Sequence, residues 1–147
     1  LRAEAPVHID VLARRVAAAF GASKVTARLR NRVLEVARTT PPGIVLRGSF
    51  VWLPGVEPER WKRVRMAGTD PRDADEIPPE ELAAAAAEVL ADSLSLPEEV
   101  LIRETARRLG ILRVGKKVAP VMAAAVELLI QGGGARREGA RIVQMAS

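Results

Sequence analysis

The side chains that could do chemistry in this sequence are basic and amide groups gathered in its first third. Lys24, Arg28 and Asn31 recur at spacings that share a helical face with Ala27 and Glu35, flanked by Arg30 and Arg32, with Ser23 and Thr26 at the helix start. Guanidinium and amide groups bond base edges and phosphates bidentately, and hydroxyls beside a helix N-terminus hold phosphates. Arg47, beside Gly48-Ser49, could add a contact to backbone or minor groove. Arg113, Lys116 and Lys117 form a second basic cluster ahead of a later helix. The same residues also fit a solvated or protein-facing surface, and Arg47 an edge-strand charge that discourages aggregation.

Catalysis has less to work with. His8 is the single histidine and cysteine is absent, so thiolate metal sites, disulfides and Cys/His pairs are excluded. His8 precedes a helix and is expected to cap it or to shape a turn. Gly132-Gly133-Gly134-Ala135-Arg136 lacks the lysine and hydroxyl of a phosphate-binding loop. Asp70, Asp73, Asp75 and Glu76 lack the glycine and distal glutamate of a calcium loop and read as a solvated acidic linker. Trp52 reads as core, since only four aromatic residues (two Trp, two Phe) leave little for base stacking. No enzyme, metal or cofactor is expected.

The net charge of +5 is unevenly spread. Residues 1–53 hold nine Arg/Lys against three acids; residues 54–78 hold five against six; residues 79–147 hold nine of each. A polyanion would therefore dock on the first third. No apolar run reaches the roughly 18 to 20 residues of a membrane helix. Absent cysteine fits a reducing compartment, the cytoplasm. The chain begins at Leu1 without a recognisable signal peptide, which predicts an excised fragment or a processed product.

The elements that would position these groups come in two similar sets. At an offset of 89, Asp10-Val11-Leu12 lies on Glu99-Val100-Leu101 and Phe20-Gly21 on Leu109-Gly110; at 91, Gly48 lies on Gly139 and Val51 on Ile142. Ile9, Leu12, Val16, Ala19 and Phe20 form one helical stripe; Leu101, Ile102, Thr105 and Leu109 form its counterpart. A short glycine-containing turn follows each. Second helices then bury Val25, Leu29, Val33 and Val36, or Val118, Met122, Val126 and Leu129. Hairpins follow across Gly48-Ser49 and, more weakly, Gly139-Ala140, the first suited to a type II′ turn. Gly132-Gly133-Gly134 suggests a mobile approach to the second hairpin. Pro120 is expected to kink or delay its helix.

A preceding helix is visible only once. Pro78-Pro79-Glu80-Glu81 starts it, and Leu82, Ala86, Val89 and Leu90 face inward. The expected fold is mainly α with small β-hairpins, as tandem winged-helix (helix-turn-helix) units. Residues 1–55 form one unit with its first helix missing or truncated, 56–77 a linker that Trp61, Val64 and Met66 could anchor, and 78–147 the second unit.

Glu4-Ala5-Pro6-Val7-His8, Leu12-Ala13-Arg14-Arg15-Val16-Ala17 and Phe20-Gly21 resemble an uncharacterised C-terminal domain of large bacterial helicase-like proteins. Ile77 to Ala85 and Glu104 to Gly110 match its second half. The resemblance implies an accessory domain of a superfamily 1 DNA helicase, with ATPase parts elsewhere and no catalytic residues here. It also implies the rest of the parent chain as a partner, while the basic first unit is expected to bind duplex DNA, mainly through phosphates. A protein-interaction or self-association module, including a homodimer, is the alternative, built on the Ala-rich helix or on the surface left by the missing helix.

Overall fold

The computed structural model describes residues 5–21, 24–41, 43–65, 72–111 and 113–145. Among them are five α-helices and six short strands, so the fold is mostly helical with two small antiparallel sheets. The chain divides into two compact units, Leu1–Val56 and Glu57–Ser147.

In the first unit, β1 (Val7–His8) runs straight into α1 (Ile9–Ala19). His8 caps that helix: its Nδ1 accepts from the Asp10 amide at 3.0 Å, satisfying one of the orphan first-turn donors. Ile9, Leu12, Ala13 and Ala17 turn inward, and Val7, Ile9 and Leu12 pack with Val51. α2 (Ala27–Thr39) starts at Thr26, whose hydroxyl accepts from the Leu29 amide at 3.1 Å. The hairpin β2 (Val45–Arg47) and β3 (Phe50–Trp52) follows, and β1 pairs with the other edge of β3. Val7 and Leu46 thus flank Val51. Trp52 is buried.

The buried stripe of α2 differs from the expected one. No side chain of α2 is fully buried, and Val25 and Val36 are exposed. Leu29, Val33, Leu34 and Ala37 are half-buried instead, with Val33 and Leu34 against the core. Val25 precedes the helix, so it cannot share the helical stripe. At about 100° per residue, Leu34 and Ala37 complete the face that Leu29 and Val33 begin.

The second unit opens with the segment expected to be a linker. There Val64 packs against the core, Ala74 and Ile77 are buried, and Asp73 and Glu76 cap a short 3-10 turn through a 3.1 Å bond from the Asp73 amide. Asp70 and Met66 lie outside the described residues. α3 (Pro79–Ser93) buries Leu82, Ala85, Ala86, Val89 and Leu90. β4 (Ser95–Pro97), α4 (Glu98–Arg108), α5 (Val118–Gln131), β5 (Ala135–Glu138) and β6 (Arg141–Gln144) then follow the order seen in the first unit. The sheet order β4-β6-β5 matches β1-β3-β2. Leu82 and Ala85 pack on Ala106, Leu109 and Met122, while Leu90 packs with Leu101, Val126 and Ile142.

Two sequence expectations in this unit need correcting. Pro120 lies in the first turn of α5, where its missing N–H has no intrahelical acceptor to lose, so the helix starts at Val118 regardless. Gly132–Gly134 is a helix cap, not a loose approach: the Gly133 amide donates to Ile130 O at 3.0 Å and the Gly134 amide to Leu129 O at 3.1 Å. Gly133, at φ 84°, supplies the left-handed residue the cap requires. At the hairpin tips Gly48 and Gly139 have φ of 58° and 59° while Ser49 and Ala140 do not turn positive, the type II′ pattern.

Candidate nucleic-acid interface

The outward face of α2 is set by the inward one. With Leu29, Val33, Leu34 and Ala37 toward the core, Arg28, Asn31, Arg32 and Glu35 fall opposite and line one open depression. Arg28, Asn31 and Arg32 are all exposed. Arg32 shares its charge with Glu35 at 3.2 Å, one turn along, a pair worth a few tenths of a kcal/mol on a solvated face (about 0.3–0.5). Arg28 makes no ion pair among the described residues. Arg30, on the flank, bonds Asp10 of α1 at 3.0 Å, which ties α2 to α1 and takes that guanidinium out of the face.

Lys24 and Thr26 precede the first turn of α2, both exposed, with the Thr26 hydroxyl committed to the cap. Ser23 lies outside the described residues. Arg47 ends β2 at the hairpin turn and is exposed. The structure therefore brings Arg28, Asn31 and Arg32 together on one face, with Lys24 and Thr26 ahead of the same helix and Arg47 in the sheet edge of the same unit. Such a set offers several exposed cations to a regularly spaced polyanion. It offers no nucleophile held by a base.

In the second unit Arg113, Lys116 and Lys117 precede α5, with Lys117 at its N-cap, and all three are exposed. None of them makes an ion pair among the described residues. Arg113 also borders a groove of about 550 Å³ floored by Ile102, Ile111 and Val114 and rimmed by Arg103 and Arg107. Sequence reasoning passed over Arg103 and Arg107, although their four-residue spacing on a helix was available as a signal.

Other charges are internal. Arg137 of β5 bridges Glu98, at the start of α4, and Glu127 of α5. Its hydrogen bonds to Glu98 and then Glu127 raise its pKa above the ordinary arginine value, despite some opposing desolvation. Glu81 of α3 is fully buried and held by Arg65 Nε at 2.7 Å and by Arg72. Both groups fasten elements to one another. Among the described residues no set of three or more His, Asp or Glu could hold a metal ion, and no helix is long and apolar enough to cross a membrane.

Comparison with known proteins adds one match. Residues 1–31 match a family described as a protein of unknown function (DUF3320). That stretch carries β1, α1 and the first residues of α2. No curated protein and no solved structure matches the chain.

Proposed function

We propose that the chain is a non-catalytic DNA-binding accessory domain that grips duplex DNA mainly through phosphates. In this reading each unit is a winged helix, the two standing in tandem. α2 is the helix presented to the groove and the β2–β3 hairpin is its wing. The observation that carries the reading is the separation of faces on α2. Its apolar side is turned to the core, and Arg28, Asn31 and Arg32 stand together on the side turned to solvent. Helix-turn-helix modules place such a helix in the major groove, with flanking cations on the backbone. Lys24 and Arg47 are positioned in sequence to serve as those flanks. Asn31 is suited to a modest base preference, because an amide pairs bidentately with adenine. In this reading the domain positions a helicase-like parent in the cytoplasm. Arg113, Lys116 and Lys117 give the second unit a weaker auxiliary contact.

A docking role for the same parent chain is the second reading. It is favoured by the apolar side chains Phe20, Val36 and Leu46, which the first unit leaves exposed.

Replacing Arg28 and Arg32 together by alanine separates the two. Loss of two phosphate contacts should weaken duplex binding across all sequences and flatten the salt dependence by roughly two units of log–log slope. Unchanged affinity at low and moderate salt would leave docking as the role of this surface.

A further inference from the structure

Two residues at equivalent places in the two units differ sharply in burial. Phe20 ends α1 and Leu109 ends α4. Each amide donates back to two carbonyls of its helix at 3.2 Å, to Val16 and Ala17 or to Thr105 and Ala106. Each is followed by a glycine of positive φ, Gly21 at 73° and Gly110 at 79°. Leu109 is 2% exposed, within the cluster formed by Ile77, Leu82 and Met122; Phe20 is 85% exposed.

The difference is the covering helix. In the second unit α3 lays Leu82 and Ala85 over the C-terminal end of α4 and onto α5. It directly precedes the first strand of its sheet, with only Leu94 between α3 and β4. In the first unit no described helix precedes β1. The side of α2 that such a helix would cover is accordingly half-open at Leu29, Val33 and Leu34, whereas Met122, Ala125 and Val126 of α5 are buried. An aromatic ring left in water at a helix end, in a unit whose α2 keeps its inward aliphatic groups only half-covered, marks an interaction surface.

We propose that the face of the first unit around Phe20 is a docking site for one amphipathic helix of the α3 kind. This helix has leucine and alanine on its buried side and is supplied by polypeptide joined directly ahead of β1. The order of elements in the second unit identifies that source. A helix entering there meets the inward side of α2 and leaves Arg28 and Arg32 uncovered, because they occupy the opposite side. The inference rests on the two units sharing one plan and not on DNA binding. Loss of duplex binding would leave it standing, and failure at Phe20 would leave the basic face untouched.

The test compares this chain with the same chain extended N-terminally by its natural sequence. In the extended chain, amide exchange over residues 16–21 and 33–37 should slow on the order of tenfold or more. Phe20→Ser should lower the melting temperature of the first unit by about 5 °C or more there, and by less than about 1 °C in the unextended chain. Equal exchange in both chains, or an equally harmless Phe20→Ser, would overturn the proposal. So would a concentration-dependent dimer of the unextended chain that Phe20→Ser abolishes, since the occupant would then be a second copy.

Discussion

Two side chains carry costs that local geometry makes visible. Glu81 is fully buried, and its charge is balanced by Arg65 and Arg72, whose side chains keep 22% and 18% of their exposure. Arg72 also donates to Arg65 O at 3.0 Å, while its Nη1 has no hydrogen-bond partner among the described residues. Removing the carboxylate strands two guanidinium groups, at about 3–5 kcal/mol for fully buried charges. Both arginines can still swing toward water, so Glu81→Ala should cost less, about 2–3 kcal/mol. The urea midpoint of the second unit measures this; an unchanged midpoint would make the triad incidental. Leu94 ends α3 at φ 66°, a left-handed conformation that disfavours a branched side chain, and is 63% exposed. Leu94→Gly relieves that strain with little burial to lose and should stabilise the second unit by about 1 kcal/mol. A fall in its melting temperature would refute this. Neither residue was legible from sequence. Glu81 looked like a first-turn helix acid, and its partners come from a stretch that composition marked as linker.

Elements were legible where apolar spacing is long and regular. The inward face of α3 and the hairpin turns at Gly48 and Gly139 lie where the residue pattern places them. The stripe expected on α1 holds at Ile9 and Leu12 but not at its end, where Ala19 and Phe20 are exposed while Val11, Ala13 and Ala17 are buried. What escaped was short or contextual. β1 spans two residues and β4 three, below any periodic signal; they exist because β3 and β6 offer an unpaired edge. The face of α2 was misjudged at Val25 and Val36, since helix start and core contacts, not hydropathy, decide which side turns inward. Pro120 was judged by residue type when its position in the first turn decides its effect. The basic face of α2 was legible as a set of residues. The withdrawal of Arg30 to Asp10 of α1 was not, because cross-helix pairs depend on packing, whereas the Arg32–Glu35 pair follows from i,i+3 spacing on one helix.

At the scale of the whole chain, two compact units with separate cores imply two unfolding events. The first unit has no buried side chain on α2, and its described elements include nothing that plays the part of α3. It should melt first, so calorimetry should resolve two transitions, with Arg28→Ala and Arg32→Ala leaving both nearly unmoved because exposed charges contribute little. A single transition would contradict the independence of the cores. Basic surplus and open helix face coincide in that less covered unit, the opposite of what a purely structural role would need. The most direct test of the proposed function is fluorescence anisotropy of the intact chain with labelled duplex and single-stranded DNA across a salt series. With Lys24, Arg28, Arg32 and Arg47 on phosphates, binding should prefer duplex and fall with salt at a log–log slope of about −3 to −4. Absence of binding at low salt, or equal affinity for both DNA forms, would contradict the duplex-gripping role of α2.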